Sequence, residues 1–332
     1  MEYRFLGRSG LKVSALSYGT WVTFGDQIGE ETAAACLKTA YEAGVNFFDA
    51  AESYARGRAE VLLGKIIRDF GWKRSDLIVS TKIFWGGEGP NDSGLSRKHI
   101  VEGVGAALKR LQMDYVDLVF CHRPDLRTPT EETVRGMTHV INQGKAFYWG
   151  TSEWPAERIR DAFHIARRER LIPPTMEQPQ YNMFHRDRVE REYRRLFEDY
   201  GLGSTVWSPL ASGFLTGKYL RGIPKGSRLS LRGYGWLRER YEGPEAEAQL
   251  EKVRKLRRIA GGLKITLPQL ALAWCLQNPD VSTVITGASR PEQVAENMKA
   301  VDAVSLLTAE VTARIERILG NKPAPEPDFR TM

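Results

Sequence analysis

Asn46-Phe47-Phe48-Asp49-Ala50-Ala51-Glu52-Ser53-Tyr54 decides how the chain is read. An apolar run ends in a carboxylate, and a tyrosine follows one short loop later. Strands buried on both faces read as unbroken apolar runs, so Asp49 marks the point where a strand leaves the core. Parallel α/β proteins place their chemistry there. Asp49 also suits a plain helix cap, with Tyr54 packed against the helix. The flanking sequence has to choose.

Upstream, residues 3–14 alternate about the turn Gly7-Arg8-Ser9-Gly10 as a hairpin, and 15–18 form a short strand ending at Gly19-Thr20-Trp21. Downstream, helices are expected over 30–43, 59–70, 97–111, 130–143, 155–169 and 186–200. Strands are expected over 45–48, 77–81, 115–121, 146–150, 175–177, 204–207 and 283–286. That gives eight strands after the hairpin, each joined to the next by at least one helix, at the spacing of a repeated βα unit. Eight such units make a (β/α)8 barrel of about 250 residues, which leaves room for insertions. One gap is longer: 210–243 is a Gly/Arg-rich loop, followed by helices over 244–260 and 267–276. The expected architecture is α/β, a single (β/α)8 TIM barrel domain over 1–332. It carries an N-terminal β-hairpin, a long insertion after strand 7, an extra C-terminal helix over 309–319 and a polar tail over 321–332. A doubly wound nucleotide-binding fold would want GxGxxG at an early strand-to-helix turn, whereas Gly103-Val104-Gly105 falls inside an expected helix.

Composition narrows the function classes. With 42% hydrophobic and 27% charged residues the chain is globular, and no apolar segment approaches the roughly 20 residues of a membrane span. Met1-Glu2-Tyr3-Arg4 lacks the pattern of a signal peptide, so a soluble, cytoplasmic protein without membrane insertion is expected. Cys36, Cys121 and Cys275 form no CxxC pair and read as buried, reduced thiols. Lys and Arg (48) exceed Asp and Glu (41) by 7, with runs at 186–195 and 252–258. Glu and Asp interrupt both runs, so solvated helix faces are expected rather than nucleic-acid binding. Some of the positive charge is available for a phosphate-bearing ligand.

In a barrel, the residues at the C-terminal strand ends share one mouth. Here they are Trp21, Asp49, Lys82, His122, Ser152, Gln178, Ser208 and Gly287. Asp, Lys and His on three successive strands, with Tyr54 one loop away, make sense as a proton-donating system. A tyrosine pKa of about 10 is high for exchange near neutrality. Lys82 is expected to lower it, and Asp49 to orient Lys82. His122 would orient a carbonyl or share the relay. No Ser or Cys has an evident base partner, and one His, one Asp and one Lys do not make a metal-ligand set. A proton donor facing a carbonyl needs a hydride source, which points to a nicotinamide cofactor. Between Thr286 and Asn297 a strand ends in Gly287 and Ser289 before a helix opened by Pro291. That segment reads either as an anion site of free backbone N–H groups or as an ordinary helix cap. Lys218 and Arg228 are placed to close over a phosphate.

Asp49, Tyr54, Lys82 and His122, with Gly19-Thr20-Trp21, Trp207-Ser208-Pro209-Leu210 and Ala295-Glu296-Asn297, resemble the aldo-keto reductase superfamily over nearly the whole chain. Residues 5–14, Cys121-His122-Arg123-Pro124-Asp125 and Gly217-Lys218-Tyr219 are most similar to the branch containing the voltage-gated potassium channel β subunits and their microbial relatives. The resemblance implies NADPH/NADP+ bound extended, with nicotinamide at the barrel mouth and Tyr54 as proton donor. It implies that Ser152 and Gln178 hold the carboxamide, and that Ser208, Leu210 and Ser212 hold the pyrophosphate under Lys218 and Arg228. Ser289 and Gln293 would lie near the adenosine 2′-phosphate, and Glu296 and Asn297 at the adenine. Gly19, Thr20, Trp21, Asp49, Trp207, Pro209 and Gly287 complete the expected cofactor set, and 210–243 would cover it.

Trp21, Tyr54, Phe84, Trp85 and His122 are the expected substrate contacts, with Trp154 and Phe184 as further loop aromatics. Many monomeric members carry Lys and Arg at the positions of Gly287 and Gln293, so NADPH preference would rest on Arg228, Ser289 and Arg290. Channel subunits usually have Asn at the position of His122, and the histidine favours a working reductase. The expected activity is NADPH-dependent reduction of aldehydes or activated ketones, by a protein that is tetrameric by family resemblance. The alternative is a channel-associated regulatory subunit that uses bound NADP(H) as a redox sensor.

Overall fold

In a computed structural model of the chain, strands and helices alternate in the expected order over the described residues, 1–21, 24, 28–230, 235–239, 242–324 and 329–331. Parts of two expected segments lie outside them: 231–234, 240 and 241 of the insertion, and 325–328 and 332 of the tail. Strands β1 (Tyr3–Phe5) and β2 (Lys12–Ser14) pair antiparallel as the hairpin. The barrel strands are β3 (Leu16–Gly19), β4 (Phe47–Asp49), β5 (Ile78–Ile83), β6 (Val116–Cys121), β7 (Ala146–Thr151), β8 (Met176–Glu177), β9 (Gly203–Val206) and β10 (Thr283–Thr286). Each pairs in parallel with the next, and β10 closes on β3. The fold is thus the expected (β/α)8 barrel. Every residue of β4, β5 and β6 is buried, as strands covered on both faces must be.

The helices are α1 (Glu30–Glu42), α2 (Arg58–Asp69), α3 (Arg97–Leu111), α4 (Thr130–Asn142), α5 (Ala156–Glu169), α6 (Arg194–Tyr200), α7 (Gly235–Glu239), α8 (Pro244–Gly262), α9 (Leu267–Gln277), α10 (Pro291–Met298), α11 (Ala300–Ala303) and α12 (Ala309–Leu319). Their starts follow local chemistry. Ser96 Oγ accepts the His99 amide ahead of α3, and Thr266 with Gln269 forms a reciprocal capping box at α9. Among the described residues no single helix is long and apolar enough to cross a membrane. The three cysteines are free and buried.

The chain divides into two compact units. The first comprises Met1–Pro179, Arg195–Trp207 and Asp280–Met298, and holds the hairpin and all eight barrel strands; the second comprises Gln180–Arg194, Ser208–Pro279 and Lys299–Met332. In the first, the hairpin closes the end of the barrel where the strands begin. Leu6 and Val13 are fully buried with Phe47, Ile78, Leu118, Phe120 and Met176. Arg4 donates to the Val281 carbonyl at 3.0 Å, Arg8 N to Gly201 O at 2.9 Å, and Ser14 N to Asn46 Oδ1 at 2.7 Å.

In the second unit, α12 is tied down by Arg186, which is buried between Glu190 (2.9 Å) and Glu316 (2.7 Å). Arg186 is therefore not part of a solvated face, as the charge run had implied. The single helix expected over 186–200 is also interrupted. Arg188–Glu192 forms a wide turn, in which Tyr193 N donates to Arg188 O, before α6 begins. The extra residue resets the buried face, between Val189 and Tyr193 on one side and Leu196 and Phe197 on the other.

Gly7 marks the tightest point of the hairpin's docking. Its φ is +56°, and a Cβ there would lie 2.4 Å from Gly201 O and from Gly203 N. Both contacts are backbone, which cannot rotate away. Gly7→Ala is expected to destabilise the protein by about 1–3 kcal/mol, read as a lower urea midpoint at unchanged slope. An unshifted midpoint would refute this account of the docking.

Candidate active site

Sheet register builds the centre of the mouth. Asp49 ends β4 between Gly19 of β3 and Ser80 of β5. Lys82 lies two residues beyond Ser80, hence on the same face of the strand. Both reach the Asp49 carboxylate: Ser80 Oγ donates to Oδ1 at 2.7 Å and Lys82 Nζ to Oδ2 at 2.6 Å. Gln178 Nε2 adds a third donor to Oδ1 at 3.1 Å. Lys82 Nζ also donates to Ala50 O at 2.8 Å and to Tyr54 Oη at 3.0 Å. All three ammonium protons thus have acceptors, in a side chain with 0% exposure.

The charges follow from these contacts. Burial disfavours the Lys82 ammonium, but Asp49 and then Tyr54 overcome it and hold its pKa above the usual lysine value. For Tyr54 the outcome differs from the sequence expectation. Lys82 does pull its pKa down, yet burial is the larger effect and the net direction is up. The phenol therefore stays protonated at neutral pH and is loaded as a donor. His122 is pushed well below the usual histidine value by burial, then by Lys82 and Arg123, so its imidazole is neutral. Its ring lies 5.8 Å from that of Tyr54 at 74°, and its buried Nδ1 has no hydrogen-bond partner among the described residues.

Strained backbone fixes Tyr54. Ala55 (φ 48°), Arg56 (φ 55°) and Gly57 (φ 84°) are all left-handed before α2 begins. A non-glycine residue held there costs about 1–3 kcal/mol, and such strain gathers at functional sites. Aromatic rings wall the mouth. Trp21 lies 6.5 Å from Tyr54 and 6.3 Å from Trp207, while Trp85 lies 5.0 Å from His122 and 4.9 Å from Phe84. Glu52 steadies the Phe84 loop from below by accepting Phe84 N at 2.6 Å and meeting His99 at 3.2 Å. Trp154 is a core residue with 1% exposure, and Phe184 belongs to the second unit.

Ser152 and Gln178 join the Asp49 cluster. Ser152 Oγ donates to Gln178 O at 2.9 Å and accepts from Arg123 at 3.3 Å. Thr20 sends its N–H (3.0 Å) and its hydroxyl (3.1 Å) to the Asp49 carbonyl. At the end of β10, Gly287 is exposed, and Ser289 gives its N–H and its hydroxyl to Gln293 Oε1 at 3.1 and 3.3 Å. The capping contact allowed by the sequence is therefore formed. Asn297 is buried and Glu296 half-buried on α10.

Within the second unit, Ser208, Ala211, Ser212 and Gly213 have φ of 55°, 46°, 54° and 99°. Leu210, at φ −97° and ψ 17°, lies between them. The loop holds this shape with its own donors: Ala211 N gives to Ser208 O at 3.0 Å, Ser212 N to Ser208 Oγ at 3.3 Å and Gly213 N to Leu210 O at 2.8 Å. Lys218 lies over it, since a Cβ on Gly213 would sit 2.8 Å from Lys218 Nζ. Lys218 is exposed as a residue, but its tip is tucked against this loop; burial of the tip, then Arg228, lowers its pKa to about 8. The Lys218 ammonium with the neighbouring Ser208 and Ser212 hydroxyls suits a phosphate group. Pro209 is buried beneath the loop, and Asn182 Nδ2 holds Ser208 O at 3.0 Å.

The sequence reading named the tetrad but missed Ser80, Arg123 and Glu52. Period-two alternation back from Lys82 points to Ser80. Arg123 and Glu52 carried no comparable signal.

Comparison with known proteins adds the following. A family model described as "Aldo/keto reductase family" matches residues 15–319. Proteins from Oryza sativa subsp. japonica and Arabidopsis thaliana, each named "Probable voltage-gated potassium channel subunit beta", are 56% identical over 331 residues, covering 99% of this chain and 100% of each of theirs.

Removing one member of a buried ion pair leaves the other uncompensated, at a cost of about 3–5 kcal/mol. Lys82→Met should lower stability by that amount, and adding Asp49→Asn should recover much of it, both read by urea denaturation. A single variant as stable as the parent, or a double variant no better than the single, would refute the pair's role. Because the folded pKa of Lys82 is raised, its stabilisation is fully present below the ordinary lysine pKa and is lost only as pH climbs through the higher folded value.

Proposed function

The chain belongs to the aldo/keto reductase family, and from that premise we propose that it reduces aldehydes or activated ketones to alcohols with NADPH. One observation carries this reading: Tyr54 Oη is held 3.0 Å from the buried Lys82 ammonium, protonated, beside a neutral histidine with an unengaged nitrogen. When bound, the reduced nicotinamide supplies the hydride to the carbonyl carbon. Tyr54 gives its proton to the oxygen. Lys82 stabilises the phenolate left behind, and Asp49 keeps Lys82 charged and in place. His122 orients the carbonyl by hydrogen bonding. Trp21, Phe84 and Trp85 exclude water and wall the substrate.

The same reading gives the cofactor residues, supported by the local chemistry of each. Ser152 and Gln178 hold the carboxamide, with Gly19, Thr20, Trp21, Asp49 and Trp207 beside the nicotinamide. Ser208, Pro209, Leu210, Ser212, Lys218 and Arg228 hold the pyrophosphate. Gly287, Ser289, Gln293, Glu296 and Asn297 take the adenosine end, and preference for NADPH rests on Arg228, Ser289 and Arg290. We take the chain to act as one domain, in the cytoplasm and as a homo-oligomer.

A second reading draws on the names of the two plant relatives: a subunit that binds a potassium channel and reports the redox state of its nucleotide. Negligible turnover of a panel of aldehydes, ketones and quinones, with co-purification of a channel protein, would select it.

Tyr54→Phe should lower carbonyl-dependent NADPH oxidation roughly 100- to 10,000-fold while NADPH still binds; retained turnover would overturn the assignment. Lys218, at a pKa of about 8, loses its charge in the free protein as pH rises past that value. A phosphate bound beside it restores the proton. NADP+ binding should therefore take up protons between about pH 8 and 9 and weaken as pH rises, and Lys218→Arg should flatten both effects. Calorimetry in buffers of different ionisation enthalpy reads this, and no proton uptake would remove Lys218 from the phosphate site.

A further inference from the structure

Arg123 directly follows His122 at the end of β6, and the residue is half-buried at the mouth. Its Nη1 donates to His122 O at 2.5 Å and to Ser152 Oγ at 3.3 Å, both neutral acceptors. The guanidinium carbon lies 5.6 Å from the centre of the Trp85 ring, and that ring lies 5.0 Å from His122. The cation therefore stands on the same wall as the residues facing the carbonyl.

Among the described residues no carboxylate forms an ion pair with Arg123, and the carboxylates around the mouth are engaged elsewhere. Asp49 accepts from Lys82, Ser80 and Gln178. Glu52 accepts from Phe84 N and meets His99. Asp125 accepts from Leu95 N, Arg127 N and Thr128, and Glu153 accepts from Trp207 Nε1. A partly desolvated charge without a counter-charge is costly. A planar guanidinium of this kind suits an oxyanion, which it can take through two parallel N–H bonds. The indole of Trp85, 44% exposed, leaves that face open to solvent.

We propose that Arg123 is a specificity-determining residue, and that the preferred substrates are carbonyl compounds bearing a second, oxyanionic group, a carboxylate or a phosphate. This rests on the carbonyl-reductase reading of the same mouth. The carbonyl faces Tyr54 and His122 while the oxyanion meets Arg123 beside Trp85. The influence of Arg123 on Tyr54 and His122 agrees with a charge placed this close to the reacting atoms.

The test uses the full chain with NADPH and two matched pairs, para-carboxybenzaldehyde with its methyl ester, and glycolaldehyde phosphate with glycolaldehyde. The wild type should favour the anionic member in kcat/KM at low salt, through KM, and the preference should shrink as KCl is added. The larger of the two preferences identifies the oxyanion. Arg123→Met should reduce the anion-to-neutral ratio roughly tenfold, and Arg123→Lys should keep most of it. A ratio equal in wild type and Arg123→Met overturns the proposal. If Arg123→Met fails to fold, a wild-type ratio near one, or one insensitive to KCl, overturns it instead. If the wild type turns over no aldehyde, the reductase reading fails, and calorimetry with NADP+ present decides for Arg123: carboxylate bound more tightly than ester supports the proposal, and equal binding overturns it.

Discussion

A lysine with no solvent exposure keeps its charge only while something else supplies what water would have given. In this barrel Asp49, the Ala50 carbonyl and Tyr54 do so, at 2.6, 2.8 and 3.0 Å. The surrounding architecture serves that arrangement. Parallel pairing of β4 with β5 sets Asp49 opposite Ser80, two residues short of Lys82 on the same face. Ser80 and Gln178 occupy the second carboxylate oxygen, so that Asp49 has no freedom to turn away. Left-handed backbone at Ala55 and Arg56 then sets the phenol in place. Pairs of this kind rarely add net stability over well-packed apolar groups. Their retention here is better understood as the cost of holding the Tyr54 phenol in a pre-oriented state.

Much of this was legible before any coordinates. The alternation of apolar runs with helical periods fixes a barrel, because a strand covered on both faces has no polar side to show. Asp49, Lys82 and His122 stood out because each is an ionisable residue at the C-terminal end of an expected strand. Ser80 did not, since a serine inside an apolar strand reads as a small core residue. Arg123 entered only as part of the motif around His122, with no role of its own. The direction of the Tyr54 shift was misjudged for a different reason. A sequence names the neighbouring charge but gives no measure of the desolvation that competes with it. The wide turn at Arg188–Glu192 was equally hidden, as one extra residue in a helical turn leaves no mark on composition.

The two compact units carry different kinds of order. In the first, sheet register places the side chains, and the polar groups of the mouth are bonded to one another. In the second, the Ser208–Gly213 loop holds backbone conformations that side-chain-bearing residues seldom adopt. The loop commits its own N–H groups to that shape, from Ala211, Ser212 and Gly213 to Ser208 and Leu210.

The hairpin that closes the far end of the barrel has a further effect on the chemistry proposed for the near end. Leu6 and Val13 lie fully buried in an apolar layer with Phe47, Leu118 and Phe120, which packs the barrel at that end. Under the proposed reduction, proton exchange with bulk water would then fall to the opposite end, where Tyr54 is half-buried. Each cycle of that proposed reaction would have a traffic order: the alcohol would clear the doorway before solvent could recharge Tyr54. Slow departure of a bulky product would delay reprotonation as well as release.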